Sequence, residues 1–179
     1  MKWIGYLLSS LWRIWFLIVF ILVFIAFIPV LFFFTAIYKN NKIVCHLTRY
    51  WSKLTLFFSF IYPSVEWEEK LDKKGRYIFC PNHVSTLDIP FILAILPVPL
   101  QFMGKAEIAK LPLFGYFYKN NAVIVDRANK RDAYAAFLKA GKQLRNGLSM
   151  CFFPEGGIPK QDIFLKQFKN GPFRLAVEQ

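Results

Sequence analysis

Residues 77–93 read YIFCPNHVSTLDIPFIL, and this stretch decides the class of fold. It begins with an apolar run of four residues, continues through a polar turn and becomes apolar again around Pro90. A short apolar run that ends at a turn is typical of a buried strand, and a proline near the start of an apolar segment is typical of the first turn of a helix. The stretch therefore predicts a strand over 77–80, a turn, and a helix over 87–96.

The polar turn contains His83, one of two histidines in the chain, and Asp88. Histidine is the side chain best suited to accept and return a proton near neutral pH. Five residues of α-helix rotate by about 500°, so only a turn that leads into a helix would bring the two side chains together. Asp88 would then accept a hydrogen bond from one ring nitrogen of His83, and the other nitrogen would face a substrate hydroxyl. The structural alternative is that Ser85, Thr86 or Asp88 simply caps the helix.

The first 63 residues are strongly apolar. No charged residue occurs from Ile14 to Tyr38, and 25 helical residues reach about 37 Å, which exceeds the roughly 30 Å core of a bilayer. Pro29 is expected to kink or break this helix. The apolar residues of 45–63 are expected to form a second helix that returns along or into the membrane interface. The sequence therefore predicts a membrane-embedded helical hairpin over 1–63, which either spans the bilayer or re-enters one leaflet.

The chain is basic, with a formal net charge of +12, and residues 1–65 contain no Asp or Glu. Basic residues that flank an apolar helix are expected to lie against anionic lipid on the cytoplasmic side of a membrane. Nucleic-acid binding would also explain the charge, but a Phe-rich anchored chain makes membrane lipid the simpler polyanion. We therefore expect a membrane protein with its folded domain facing the cytoplasm and no nucleic-acid partner.

From residue 64 onward, short apolar runs alternate with basic amphipathic segments, and all 11 acidic residues lie in this part. The runs predict strands at 77–80, 100–103, 122–125 and 150–153. The segments between them predict helices at 87–96, 108–118 and 130–144. Alternating strands and helices predict an α/β fold with a mostly parallel sheet and flanking helices. We expect 64–179 to be this catalytic or binding domain.

Polar residues follow three of the predicted strands. His83 follows the first strand, Arg127 the third, and Glu155, Gly156 and Gly157 the fourth. Functional groups in an open parallel sheet gather at the carboxyl ends of its strands. Arginine presents a permanently charged fork that suits phosphate or carboxylate, and glycines let the backbone approach an anion closely. Together these residues predict an anion-binding pocket beside a histidine base.

The ordered set NHVSTLD (82–88), VIVDR (123–127) and FPEG (153–156) resembles the glycerolipid acyltransferases of the lysophosphatidic acid acyltransferase type. KAE (105–107) with PLFG (112–115), and FKNGPFR (168–174), match the same family. The resemblance covers residues 75–178. It implies a membrane-bound enzyme of phospholipid biosynthesis that acylates 1-acyl-glycerol-3-phosphate, giving phosphatidic acid. The acyl donor would be acyl-CoA or acyl carrier protein, with no further cofactor.

The resemblance also implies a role for each matching residue. His83 would be the general base that removes the proton from the acceptor hydroxyl, and Asp88 would orient it. Attack on the thioester would be direct, without an acyl-enzyme. Arg127 would hold the phosphate of the acceptor. The full set of residues expected to bind substrate is Lys105, Arg127, Glu155, Gly156 and Gly157.

Three departures from the family pattern affect these expectations. Asn121 stands where the second block usually opens with glycine, and Asn tolerates left-handed backbone geometry better than most residues. Residues 157–159 replace the usual Thr-Arg-Ser, so the positive charge of that arginine is missing. Either Lys160 or a later lysine supplies the charge, or Arg127 holds the phosphate with less help. The fourth block of the family is absent, so we expect a chain truncated at its C-terminus whose sheet lacks a strand.

Several alternatives stay open from the sequence. The same chemistry could act on glycerol 3-phosphate or another lysolipid, or the chain could be a non-catalytic lipid-binding fragment. Cys80 lies three residues before His83, so a Cys-His hydrolase is a rival, although a thiol in an apolar strand is hard to ionise. The cysteine pattern favours reduced thiols over disulfides. Two widely separated histidines predict no metal site.

Overall fold

The structure is a computed structural model that describes residues 2–159 and 165–179, so Lys160 lies outside the described residues. In chain order the elements are α1 (Lys2–Phe32), a π-helical turn (Phe33–Ile37), α2 (Asn41–Phe58), β1 (Ile78–Phe79), α3 (Asp88–Ile95), β2 (Leu100–Lys105), a 3-10 helix (Ala106–Lys110), α4 (Phe114–Asn121), β3 (Val123–Val125), α5 (Lys130–Arg145), β4 (Ser149–Cys151) and α6 (Gly171–Glu178).

The four strands form one sheet in the order β1-β4-β2-β3. Every neighbouring pair is parallel: Ile78 aligns with Met150, Phe102 with Cys151, and Lys105 with Val125. The expected α/β fold with a parallel sheet and flanking helices is confirmed. Because all described strands point the same way, their carboxyl ends lie along one edge, and the residues that follow β1, β3 and β4 meet there.

Successive residues of each strand point to opposite faces of the sheet. Met150 belongs to the core cluster that α5 and α6 build on one face, together with Val125 and Leu175. Its neighbour Cys151 belongs to the cluster on the other face, with Phe102 and the residues of α3. The sheet is therefore covered by helices on both faces, which explains why its short strands are apolar on both sides.

Two helices begin at asparagine caps. The Asn40 side chain accepts a hydrogen bond of 3.1 Å from the Ile43 N–H at the start of α2. The Asn129 side chain accepts from the N–H groups of Arg131 and Asp132 at the start of α5. Asparagine is among the best N-cap residues because its oxygen pairs with donors that the helix itself leaves free.

One predicted helix, 108–118, is two elements. The 3-10 helix ends at Lys110, and Leu111 has an extended backbone with ψ of 134°. The residue before a proline is pushed out of the helical region by the proline ring, so Pro112 separates this helix from α4. Leu113 has a positive φ of 58°, and α4 begins at the next residue.

The helices α1 and α2 form an antiparallel hairpin. The Trp12 indole N–H donates to the Ser59 carbonyl at 3.1 Å, and Trp15 donates to Phe58 at 2.9 Å. Further along α1, Phe20 packs edge-on against Trp51, with ring centroids 4.8 Å apart. As the contacts move from Trp12 to Phe20 along α1, their partners move back from Ser59 to Trp51 along α2, so the two helices run in opposite directions. The hairpin itself was predicted, and its position in a membrane stays a prediction.

Trp3–Ile37 is, in the described part of the chain, the one helical segment long and apolar enough to cross a membrane, and an 18-residue window within it has a mean hydropathy of 3.3. Pro29 was expected to kink or break this helix, and it does not break it: α1 continues through this residue to Phe32 and then widens into the π-helical turn. Helices in apolar surroundings tolerate proline when neighbouring helices and local changes of hydrogen bonding satisfy the freed carbonyl.

The hairpin is attached to the α/β layers through α2. The Cys45 thiol donates to the Leu100 carbonyl at the start of β2, at 3.2 Å, and Arg49 donates to the Ala94 carbonyl near the end of α3. A core cluster then joins α1, α2 and α4 through residues such as Phe24 and Phe117. The hairpin therefore forms one wall of the folded domain as well as an apolar outer surface.

Candidate active site

The turn between β1 and α3 closes around the Asp88 carboxylate. Its Oδ2 lies 2.9 Å from Nδ1 of His83 and also accepts hydrogen bonds from the N–H groups of Val84, at 2.8 Å, and Ser85, at 2.9 Å. The expected hydrogen bond between His83 and Asp88 is present. The capping alternative is not found, because no side chain caps the start of α3; the same oxygen instead binds the backbone of the preceding turn. One carboxylate therefore shapes the loop and orients the imidazole.

The His83 ring is also fixed by stacking on Phe153, which follows β4. Their ring centroids lie 3.8 Å apart with planes at 13°, and Phe153 stacks in turn on Phe102 of β2. The hydrogen bond to Asp88 occupies Nδ1, which leaves Nε2 to face the cavity that His83 lines. The sequence assigned no role to Phe153. Only the adjacency of β1, β4 and β2 in the sheet brings the three rings together.

Glu155 lies beneath this turn and is only 4 % exposed. Its Oε1 accepts from the His83 backbone N–H at 2.9 Å, and its Oε2 accepts from the Lys166 N–H at 3.3 Å. Both carboxylate oxygens are thus bound to backbone donors from two other segments. Its direct contact with substrate stays a prediction, whereas its contact with the histidine-bearing turn is a feature of the structure.

Arg127 extends from the end of β3 to the loop after β4. Its guanidinium donates to the Gly156 carbonyl and approaches Gly157. Gly156 and Gly157 have positive φ values of 75° and 148°, a region that only glycine adopts without strain. Lys166 is a later lysine at this loop, and its ammonium donates to the Gly157 and Ile158 carbonyls at 3.3 and 2.9 Å. The structure therefore brings together the polar residues that follow β1, β3 and β4.

Lys105 ends β2 and lines the same cavity as His83 and Arg127. Its ammonium forms an exposed ion pair of 3.1 Å with Glu107. The Tyr118 hydroxyl lies against Gly104, the residue before Lys105, and burial raises the pKa of this phenol, so it stays neutral. Tyr118 was missed in the sequence. Gly104 could have indicated that a ring lies here, because glycine in a strand often marks a close approach of another group. A side chain at position 104 would overlap the Tyr118 ring.

A cavity of about 670 Å³ begins at these polar residues and continues between the sheet and the hairpin; we call it the acyl cavity. Lys105, the last residue of β2, lines one end, and Cys45, bound to the first residue of β2, lines the other. The six residues of β2 span about 20 Å. Its aromatic walls come from α1, α2 and α4, through Phe16, Phe20, Phe24, Trp51, Phe114 and Phe117. The cavity has the shape and lining for a long hydrocarbon chain.

The cysteines are poor candidates for this chemistry. All three are free thiols. Burial raises the pKa of Cys80 above its ordinary value, and it raises that of Cys45 to about 12, so neither thiol ionises readily. A neutral thiol is a poor nucleophile, which argues against the Cys-His hydrolase. Within the described residues, no group of three or more His, Cys, Asp or Glu side chains is arranged to hold a metal ion.

Comparisons with known proteins agree on one family. A family model described as Acyltransferase matches residues 63–179. The 1-acyl-sn-glycerol-3-phosphate acyltransferase of Borreliella burgdorferi is 28 % identical over 127 residues, which cover 70 % of this chain and 50 % of that protein. The lyso-ornithine lipid O-acyltransferase of Pseudomonas aeruginosa is 33 % identical over 79 residues, covering 44 % and 30 %. The chain spans about half the length, or less, of these two relatives.

A solved structure shows the same fold. The crystal structure of the 1-acyl-sn-glycerophosphate (LPA) acyltransferase, PlsC, from Thermotoga maritima superimposes with a TM-score of 0.71. The two sequences are 26 % identical, and the match covers 99 % of this chain and 71 % of that one. The similarity therefore includes the helical hairpin as well as the α/β layers.

Proposed function

The chain belongs to the Acyltransferase family, and we propose that it moves a fatty acyl group from an acyl thioester to the free hydroxyl of 1-acyl-glycerol-3-phosphate, giving phosphatidic acid. One observation carries this proposal: the His83–Asp88 pair lies at the polar end of a long cavity with aromatic walls. A base beside an apolar cavity suits a reaction between an acyl chain and a hydroxyl. The names of the relatives make the phosphate-bearing lysolipid the first candidate for the acceptor.

The chemistry follows from the two ring nitrogens of His83. The hydrogen bond to Asp88 assigns the proton to Nδ1, so Nε2 is free to accept a proton. Nε2 removes the proton from the acceptor hydroxyl while its oxygen attacks the thioester carbonyl. A carbon–oxygen bond forms, the carbon–sulfur bond breaks, and the leaving thiolate takes the proton from the imidazolium. Asp88 stabilises this transient imidazolium, and the protein needs no nucleophile of its own.

The positions of the polar and apolar groups suit the two substrates. The fatty acyl chain of the donor would occupy the acyl cavity, which holds its carbonyl beside His83. Arg127 and Lys105 line the polar end, where they would attract the acceptor phosphate. The phosphate and the reacting hydroxyl of the acceptor are only a few bonds apart, so both must lie near the histidine. This arrangement favours a small phosphate headgroup.

The helical hairpin would deliver both lipids to the site. We propose that α1 anchors the chain in a membrane, with the α/β domain on the cytoplasmic side. Most large side chains along the first half of α1 are exposed, including Trp3 at 87 %. Exposed apolar surface of this size on a basic chain suits a bilayer with anionic headgroups. An enzyme bound to that surface meets lysolipids and acyl chains where they are concentrated.

A different acceptor is the second candidate, and the similarity to a lyso-ornithine lipid O-acyltransferase favours it. The same base and cavity would serve, because the chemistry at the hydroxyl is unchanged. The discriminating feature is the basic pair Arg127 and Lys105 at the polar end. Competition between lysophosphatidic acid and lysolipids without a simple phosphate decides between the two, and Arg127→Ala should reduce turnover of the phosphate-bearing acceptor most.

The test is acyl transfer to lysophosphatidic acid by the full chain in lipid vesicles, with labelled acyl-CoA and, separately, acyl carrier protein as donors. We expect His83→Ala to lower kcat by about 10³-fold or more, since a general base contributes about 10²–10⁴. His46→Ala is the matched control, and we expect it to retain full activity because this second histidine is exposed on α2. Turnover that survives His83→Ala contradicts the mechanism. Lipid binding without turnover in the folded wild type supports the non-catalytic fragment.

A further inference from the structure

A second, smaller pocket lies on the opposite face of the sheet from the acyl cavity. It has a volume of about 240 Å³ and is bounded by α5, by the start of α6 and by the loop after β4. We call it the basic pocket and define it by Arg127, Phe137, Gly156, Lys169 and Pro172. Arg127 and Phe153 line both spaces, so the basic pocket is adjacent to the polar end of the acyl cavity.

Two cations converge on one glycine in this pocket. The Arg127 guanidinium donates to the Gly156 carbonyl, and the Lys169 ammonium lies 3.2 Å from the point that a Gly156 side chain would occupy. The Lys169 N–H donates to the Pro154 carbonyl at 2.9 Å, which ties its backbone to the same loop. Among the described residues, no Asp or Glu lines the pocket. Two cations that face one space without a carboxylate favour an anionic ligand.

The remaining walls of the pocket are apolar. Phe137 of α5, Phe152 after β4 and Pro172 of α6 lie around the two cations. A bare inorganic anion gains nothing from such walls, whereas a phosphate ester with a compact apolar carbon skeleton buries that skeleton against them. The basic pocket has a volume of about 240 Å³, compared with about 670 Å³ for the acyl cavity, so it is too small to be a second site for a long acyl chain.

We propose that the basic pocket binds the 4′-phosphopantetheine arm of the acyl donor, with Lys169 on its phosphate. This inference rests on the proposed function, because it concerns the donor of that reaction. When the acyl chain fills the acyl cavity and the thioester lies at His83, the rest of the donor has to leave the site by another route. The basic pocket is next to that point, and the arm joins its phosphate to a branched carbon with two methyl groups, which suits the apolar walls.

The phosphate of the acceptor is a poorer candidate for this pocket. It is joined by a few bonds to the hydroxyl that His83 deprotonates, so it must stay at the polar end of the acyl cavity. Lys169 does not line that cavity, whereas Arg127 lines both. Substitution of Lys169 should therefore weaken binding of the donor arm without affecting binding of the acceptor. Coenzyme A and acyl carrier protein carry the same arm, so the pocket would serve either donor.

The first experiment measures binding by the full chain in detergent micelles, with calorimetric titration of 4′-phosphopantetheine and of pantetheine. We expect the phosphorylated compound to bind the wild type about tenfold more tightly, because a charge-assisted hydrogen bond contributes about that factor. Lys169→Ala removes the preference and Lys169→Arg retains it. Lys139→Ala, an exposed lysine in the middle of α5, is the matched control and retains it too.

Equal binding of the two compounds by the wild type overturns the proposal without any variant. A phosphate preference that survives Lys169→Ala overturns it as well. In kinetic assays, we expect Lys169→Ala to raise KM about tenfold for both acyl-CoA and acyl carrier protein and to leave KM for lysophosphatidic acid unchanged. A rise for acyl-CoA alone assigns Lys169 to another phosphate of the coenzyme, and a rise for the acceptor alone assigns it to the headgroup. Either result overturns the proposal.

The outcomes for the pocket and for the reaction are separable. A wild-type chain that prefers 4′-phosphopantetheine but transfers no acyl group to lysophosphatidic acid contradicts the proposed function and supports the arm site. Acyl transfer without any phosphate preference in binding supports the proposed function and contradicts the arm site.

Discussion

A single oxygen of Asp88 does more than orient the histidine. It accepts hydrogen bonds from Nδ1 of His83 and from the backbone N–H groups of Val84 and Ser85. A local turn of six residues thus carries the base together with the group that selects its tautomer. Because the whole arrangement is local, residues 83–88 are expected to keep this geometry in any protein that preserves the strand before them and the helix after them.

Asp88→Asn is expected to damage catalysis more than substrate binding. The amide oxygen can take the place of Oδ2 and accept the same three hydrogen bonds, but the imidazolium loses its counter-charge. We expect kcat to fall by about 10²–10⁴-fold, with KM for both substrates nearly unchanged. Steady-state kinetics in vesicles measure this, with Glu68→Gln, at an exposed position before β1, as the control. A rise in KM at constant kcat would assign Asp88 to substrate binding instead.

At the level of elements, the segment between β2 and β3 shows how one proline and one glycine set local structure. Pro112 ends the 3-10 helix, and Gly115 then packs so closely that a side chain there would overlap the carbonyl oxygen of Ala109. The Gly115 N–H also donates to the Leu111 carbonyl at 2.9 Å. This close packing places α4, with Tyr118, against the end of β2.

Gly115→Ala is therefore expected to destabilise the fold. The obstructing atom belongs to the backbone, which cannot rotate away, so the cost should be about 1–3 kcal/mol, as for other overpacked sites. Gly171→Ala is the matched control, because nothing lies within 4 Å of a side chain at the start of α6. Thermal unfolding of both variants in the same detergent compares them. Equal melting temperatures would show that the 3-10 helix and α4 are not held together as the structure indicates.

On the scale of the whole molecule, the acyl cavity exists only because the hairpin packs on the α/β layers. Its polar end belongs to the sheet and its aromatic walls belong largely to α1, α2 and α4. Phe24 of α1 lies in the wall, with its ring 5.3 Å from that of Phe114 and 5.7 Å from that of Phe117. The hairpin thus forms part of the cavity that we propose as the substrate site, beyond its expected role as an anchor.

Phe24→Leu is expected to shift the preference for acyl chain length. The smaller side chain widens the cavity, so longer or bulkier acyl chains should gain in kcat/KM relative to the chain that suits the wild type. One methylene group in an apolar pocket is worth about 10-fold or more in discrimination, so the change is measurable with a series of acyl-CoA donors. Ile25→Ala is the control, since this neighbour is 52 % exposed on the outer side of α1. An unchanged length profile would place the acyl chain elsewhere.

The sequence alone determined the features that depend on near neighbours along the chain. Apolar periodicity predicted all four strands and the fold class, and the turn from His83 to Asp88 was correctly expected to close on itself. Two local expectations need correction: α1 does not break at Pro29, and the single helix predicted over 108–118 is two elements. The first depends on the surroundings of α1, and the second overlooked the backbone restriction that Pro112 imposes on the residue before it.

Only the tertiary structure decided which distant residues meet. Strand β1 lies beside β4 rather than beside β2, the next strand along the chain, and this order brings Glu155 beneath His83, a separation of 72 residues. The same order stacks Phe153 on the histidine and joins Arg127 to Gly156. Periodicity cannot reveal the order of strands in a sheet, because each strand buries similar apolar faces whichever neighbour it has. The residue types of the site could therefore be predicted from the sequence. The two cavities and the residues between them could be identified only in the three-dimensional fold.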